Sequence, residues 1–361
     1  MYRIECYRTP IIPFGTYEID TNSLLQPVLA RLNDLINIRF KEFRIERFVF
    51  SSTFEINKLK IYPFRILVRK YGINLRIEHT TLQYIDSHCL SLFDGLLTMM
   101  RQNIRLGIFV AYENLSYYSR NELLEIIKTS PDEDYKSPWE IDEVLSNKYK
   151  IHNSEMLEYI NLQKSIVIKR KDLVNIIPIK THKKQIINSD PCCINKIPVF
   201  RTRNNDIYLA RLASGASFIV LYNLDNLTCE ASEPSNDNIG IVGIGEASSL
   251  NEIDSLEFLF ASIEKALENA SLRIQDIDSF EIMDSHPVYT LAIIKKFNIS
   301  MSKVNNLGSV LLRGDSVSAA GGTLFTNTKT LYDENKNFRY ILLVSYSVSM
   351  AISFIVKKAL D

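Results

Sequence analysis

The sequence has no net charge: 42 basic side chains are matched by 42 acidic ones. Without a basic excess there is no long-range attraction for nucleic-acid phosphates or for anionic membranes, so neither is expected as a partner. Cysteines are few. Cys6, Cys89, Cys192, Cys193 and Cys229 are irregularly spaced and form no C-x-x-C pair. That excludes a disulfide framework, gives no zinc site, and makes a reducing cytosol the expected compartment. The opening MYRIECYRTPIIPFG lacks the basic region, apolar stretch and small-residue cleavage site of a secretory signal. One segment, Tyr340–Val356 (YILLVSYSVSMAISFIV), is mostly apolar, but it is short for a spanning helix and holds four serines and two tyrosines. Its β-branched and aromatic content predicts two buried strands joined by a tight turn near Ser345–Ser349.

What is present suits a folded α/β protein. The 361 residues, 46% hydrophobic and 23% charged, can bury a large core in two or three domains or in one doubly built unit. Phe48–Phe54 and Leu75–Glu78 read as strands, Ser91–Leu106 as an amphipathic helix and Gly107–Tyr112 as a buried strand. This alternation implies parallel pairing with crossover helices. Residues 117–205 change character, turning polar and punctuated by Pro131, Pro138, Pro178, Pro191 and Pro198, and predict an excursion from the sheet. Ala213–Tyr222 returns to a buried strand. The second half repeats the alternation: strand Ile239–Ile244, helix Ser255–Ala270 with strong amphipathic spacing, strand Ile277–Ile282 and helix Tyr289–Phe297. The expected division is residues 1–235, containing the excursion, and residues 236–361.

Motifs at the ends of these elements carry a family resemblance. Val304–Gly322 (VNNLGSVLLRGDSVSAAGG) begins Asn-x-x-Gly, runs through apolar residues to Gly314 and ends in small residues. It resembles the C-terminal active-site signature of thiolases, N-x-x-G-G-x-x-x-x-G-H-P-x-G-A-S/T-G. Tyr7–Gly15 is similar to the family's R-T-P-x-G-x-F opening. Cys89-Leu90-Ser91-Leu92-Phe93-Asp94-Gly95 falls where thiolases carry the nucleophile motif C-x-S-G-x-x-A. Glu113-Asn114-Leu115-Ser116 resembles E-x-M-S, and Asp276–Ile282 resembles D-I-D-x-x-E-I/L. Within the excursion, Glu155–Ser165, Ile176–Ile179 and Ile197–Arg201 fall where the family carries its loop domain. The resemblance implies a thiolase-like α/β fold of two similar halves, mixed sheets layered with helices, plus a loop domain. It further implies a homodimer, or a heterodimer with another thiolase-like chain.

The departures gather at the positions where thiolases do chemistry. The base histidine is Asp315 and the following proline is Ser316. The N-E-A-F or H-D-x-F motif is Met283-Asp284-Ser285-His286, in which only Asp284 agrees with the second form. C-x-G-G-G is Ser345-Tyr346-Ser347-Val348-Ser349, so the proton-donating cysteine becomes Ser345. Of these catalytic positions, Cys89 alone is kept.

Acyl transfer on a cysteine needs a thiolate, an oxyanion hole and a proton acceptor. A free thiol titrates near about 8.5, so it needs help at neutral pH; an ionised Asp315 beside the sulfur would work against it. His88 precedes Cys89 and points to the opposite face of a strand. His286 is the better candidate base, oriented by Asp284 or Asp315, or else it fills the space of the family's Phe. Cys89 itself is either the nucleophile or a small buried hydrophobe. The resemblance makes an acyl-CoA or acyl carrier protein the expected partner, with a coenzyme A or phosphopantetheine thioester as substrate and no tightly bound cofactor or metal. Lys169-Arg170-Lys171 and Lys180–Lys184 offer a surface for such a phosphate, or simply a solvated face. Two functions fit: an acyltransferase or condensing enzyme loading Cys89, or a catalytically silent subunit beside an active homologue.

Overall fold

The computed structural model describes residues 1–13, 21–41, 43–52, 77–83, 90–119, 122, 138–169, 176–181, 183–187, 190, 199–201, 206–223, 239–249, 255–347 and 349–358. The first half contains β1 (Tyr2–Arg8), β2 (Ile12–Pro13), α1 (Thr21–Arg39), β3 (Ile45–Ser51), β4 (Ile77–Gln83), α2 (Leu90–Arg101) and β5 (Leu106–Glu113). The excursion follows with α3 (Pro138–Lys148), α4 (Asn153–Lys169) and two small hairpins, β6 (Ile179–Lys180) with β7 (Ile186–Ile187) and β8 (Val199–Arg201) with β9 (Asp206–Tyr208). β10 (Ala213–Asn223) returns to the main sheet. The second half comprises β11 (Ile239–Ser248), α5 (Glu257–Ala270), β12 (Ser279–Ile282), α6 (Pro287–Phe297), α7 (Val310–Arg313), α8 (Ala320–Glu334), β13 (Tyr340–Tyr346) and β14 (Met350–Lys358).

The two halves repeat one topology. In the first, β1 pairs antiparallel with β10, β10 antiparallel with β5, and β5 parallel with β3. In the second, β11 pairs antiparallel with β14, β14 antiparallel with β13, and β13 parallel with β12. The sequence predicts a mixed sheet in each half. Among the described residues the structure joins them into one sheet of ten strands, because Arg3 and Ile4 of β1 pair with Gly240 and Ile239 of β11.

Strand alternation sorts the core into layers. In β10, Ala216, Phe218, Val220 and Tyr222 pack against α1, whose inward face is Leu25, Val28, Leu29, Leu32 and Ile36. Ile219 and Leu221, on the opposite face, join the central core together with Val49 and Phe109. α2 and α8 occupy that centre, between the first-half and second-half strands. Phe93 of α2 meets Phe325 of α8 at 5.5 Å and Phe354 of β14 at 4.9 Å between ring centroids. Fully burying aromatics of this size is worth about 1.5–3 kcal/mol each. Tyr340–Val356 forms the expected pair of buried strands, and among the described residues no helix is long and apolar enough to cross a membrane.

Candidate active site

The site forms where the parallel strands β12 and β13 end side by side. Ile282 pairs with Val344, and the Met283 N–H donates to the Val344 carbonyl at 2.9 Å, so Met283 and Ser345 lie next to each other at the strand ends. Both are fully buried, and Ser345 pairs across the sheet with Ile352 of β14. Beyond Met283 the chain turns sharply into α6, where Pro287 at the first helical position fixes the start and leaves His286 extended at the N-cap (φ −123°).

The signature segment Val304–Gly322 wraps over these ends. Asn305 anchors it: its side-chain amide donates to the Ile282 carbonyl (3.0 Å) and its Oδ1 accepts from the Ile282 N–H (2.8 Å). Gly308 and Gly314 have φ of +104° and +110°, conformations that side chains oppose. Asp315 then pairs by its backbone with the first half: its N–H donates to the Arg211 carbonyl (2.8 Å), and the Ala213 N–H donates to the Asp315 carbonyl (2.7 Å). The signature segment therefore builds the turn that brings the two halves together.

Three of the candidate acid and base residues are engaged in separate networks. Asp315 is buried; its Oδ2 accepts from the Ser285 hydroxyl (2.7 Å) and its Oδ1 from the Val317 N–H (2.8 Å). The second bond holds Val317 at φ +46°, an unusual conformation for a β-branched residue. Asp284 accepts from the Tyr159 hydroxyl (2.7 Å) and the Leu311 N–H (3.4 Å). Burial raises the Asp284 carboxyl above the usual carboxylate range, despite those donors. Burial, followed by the charge of Asp284, also holds the Tyr159 phenol protonated well above its ordinary range. His286 is oriented by neither Asp284 nor Asp315. Its Nδ1 lies 3.0 and 3.1 Å from the two carboxylate oxygens of Asp142. Its ring leans on Tyr289, which stacks on Tyr346 at 4.5 Å, and the Tyr346 hydroxyl donates to the His286 carbonyl (3.4 Å).

Cys89 and His88 lie outside the described residues, as do Cys192, Cys193 and Cys229. Cys6 is a buried thiol pushed up to about 12 by loss of water, which leaves it inert as a nucleophile. Of the basic clusters, Lys180, Lys183 and Lys184 are exposed on the β6–β7 hairpin and Lys169 ends α4. Arg170, Lys171 and His182 lie outside the described residues. Among the described residues no group of three or more His, Cys, Asp or Glu is placed to hold a metal ion. An open groove of about 730 Å³, lined by Leu162, Lys169, Asn306, Glu334 and Phe338, lies at the far end of α8 from Asp315; Lys169 of the candidate basic cluster lines it, and Asp284, His286, Asp315 and Ser345 do not.

Several residues that shape the site come from the excursion and escape sequence reading. Asp142 and Tyr159 are two. The third is Asp190, whose carboxylate takes a two-pronged contact from Arg8 (2.7 Å each), a further bond from Arg313 (2.5 Å) and one from the Ile11 N–H (2.8 Å). Burial alone would raise the Asp190 carboxyl, but Arg8 and Arg313 outweigh it and hold the group well below the usual carboxylate range. Arg8 belongs to the R-T-P opening and Arg313 to the signature, so Asp190 ties the excursion to both halves. A buried acid at helical spacing with apolar neighbours, as in Ile141-Asp142-x-x-Leu145, was a signal available in the sequence. The polar composition around it hid that signal.

Comparison with known proteins bears on the fold. Residues 246–358 match the family described as thiolase, C-terminal domain. The dimeric peroxisomal thiolase of Saccharomyces cerevisiae superposes with a TM-score of 0.78 at 16% identity, covering 99% of this chain and 97% of that one. Human mitochondrial 3-ketoacyl-CoA thiolase in complex with CoA gives 0.77 at 14%, with 99% and 98% covered. Bacillus anthracis acetyl-CoA acetyltransferase gives 0.77 at 15%, with 99% of both chains covered. A comparison with curated proteins gives no match. The architecture is the thiolase fold across the whole chain. Over residues 246–358 the chain is similar in sequence to the thiolase C-terminal domain as well.

Proposed function

We propose that the chain is an acyltransferase or condensing enzyme that takes an acyl group onto Cys89 from a coenzyme A or carrier-protein thioester, with His286 as its base. The observation that carries this reading is that His286 stands at the turn after β12 as an imidazole hydrogen-bonded to a carboxylate, 15% exposed at its side chain. The carboxylate also fixes the orientation of the ring, which a general base requires. In the proposed step the Cys89 thiol gives its proton to His286 and the sulfur attacks the thioester carbonyl. The carbon–sulfur bond to coenzyme A then breaks, and the departing thiolate takes the proton back from His286. An acceptor nucleophile later releases the acyl group by the same steps in reverse. The substrate thioester arrives and leaves with each turnover, so no resident cofactor or metal enters the scheme. A cytosolic dimer, of two copies or with another thiolase-like chain, is part of the same proposal.

A second reading is supported by Asp315. Its carboxylate is engaged by Ser285 and by the Val317 N–H, which takes the position of the family's base out of proton transfer. That favours a silent subunit retained as the structural partner of an active homologue. Intact-mass measurement separates the two. The protein is incubated with acetyl-CoA, longer acyl-CoAs and acyl carrier protein. The enzyme reading expects an acyl adduct that disappears in Cys89→Ala. No adduct from any donor, together with co-purification of a second thiolase-like chain, would establish the silent subunit.

A further inference from the structure

We propose that Asp142, supplied by the excursion, is a positioning residue that fixes the proton of His286 on Nδ1 and makes Nε2 the acceptor nitrogen of the ring. Its catalytic meaning rests on the acyl-transfer reading, whereas the tautomer it sets does not. The argument begins with where Asp142 sits. It is fully buried on the inward face of α3 between Ile141 and Leu145, a place where a carboxylate is costly unless it is paired. Its hydrogen-bond partner among the described residues is His286, met by both carboxylate oxygens. A carboxylate only accepts, so Nδ1 is the donor.

His286 is held on several sides. Pro287 fixes the backbone that follows it, Tyr346 holds its carbonyl, and Tyr289 packs against its face. The neighbouring acids are committed elsewhere: Asp284 to Tyr159 and Leu311, Asp315 to Ser285 and Val317. Among the described residues, Asp142 is thus the carboxylate placed to set the tautomer. An imidazole held in this way by a buried carboxylate has the arrangement a general base requires. The excursion thereby supplies a working part of the site in addition to covering it.

Long-range ¹H–¹⁵N spectra of histidine-labelled protein test this directly, with His286 assigned through His286→Gln. In the unmodified protein, at a pH where the ring is neutral, Nδ1 should carry the proton and Nε2 should not. In Asp142→Asn the preference should be lost or reversed, while Asp142→Glu should restore it in part. A proton on Nε2 in the unmodified protein, or an unchanged His286 signal in Asp142→Asn, would overturn the proposal. The first of these readings needs no variant, so a variant that fails to fold does not shield it. If Cys89 is acylated, Asp142→Asn should slow adduct formation on the order of 10²–10⁴-fold with the half-saturating acyl-CoA concentration unchanged. The expected tautomer without any acyl adduct would sink the acyl-transfer reading and leave the positioning role standing.

Discussion

Gly314 combines a φ of +110° with close packing: a Cβ built there would lie 2.8 Å from the Ala213 Cβ. Gly314→Ala should therefore cost about 1–3 kcal/mol in urea denaturation, and a loss below a few tenths would contradict the geometry. Glu281 offers a pH test. Loss of water first, and then the charge of Asp284, push its carboxyl up to about 8, against the hydrogen bond from Asn327. The unfolded chain titrates this group near 4.5, so the folded state binds the extra proton between those values. Its contribution is full below about pH 4.5 and is lost as pH rises through about 8. The melting temperature of the unmodified protein relative to Glu281→Gln should fall between pH 5 and pH 8; a parallel pair of curves would refute the assignment. At this scale the sequence was readable where a residue has one backbone role, as at Asn305, Gly308 and Gly314. It was obscured for Asp142, whose helical spacing with Ile141 and Leu145 is submerged in the polar residues around it.

Among the elements, the excursion departs most from its sequence impression. Its polar composition predicts a region outside the sheet, and among the described residues its strands do pair only with each other. Yet α4 turns Met156, Tyr159, Ile160, Gln163 and Val167 inward at helical spacing, and Gln163 donates to the Val304 carbonyl (3.0 Å) at the start of the signature. Asp190 fastens the same region to Arg8 and Arg313, all three side chains being at most 3% exposed. Asp190→Ala would strand two buried guanidinium groups, so a loss of about 3–5 kcal/mol is expected in chemical denaturation. A loss within 0.5 kcal/mol, on the order of a surface change, would show the cluster to be solvated in solution. Pattern reading recovers α5, β5, β10 and the β13–β14 pair because each has one strong period. It cannot recover long-range ion pairs, since nothing local in Arg8 or Arg313 points to residue 190.

For the whole molecule, the duplication is visible in pairing order and not in residue identity. Alternation in both halves made a repeat expected, but the joining of β1 to β11 depends on two backbone pairs that leave no side-chain trace. With α2 and α8 shared by both halves and the excursion fastened by Asp142, Tyr159 and Asp190, unfolding should be a single cooperative event. The single tryptophan, Trp139, lies in α3, so its fluorescence reports the excursion while far-UV circular dichroism reports the sheet and helices. The two denaturation curves should coincide. A fluorescence transition at clearly lower denaturant would mean that the excursion melts on its own.

The contact between Ser285 and Asp315 joins two of the positions at which this chain departs from the thiolase pattern. Histidine restored at position 315 alone would leave the Ser285 hydroxyl without its acceptor and release the Val317 amide from the bond that maintains its left-handed turn. Alanine restored at 285 alone would remove one of the donors that satisfy a buried carboxylate. Asp315→His alone is therefore expected to loosen the turn, whereas Ser285→Ala alone leaves the Val317 bond in place. A histidine at this position would thus have to be accommodated by Ser285 as well as by Val317.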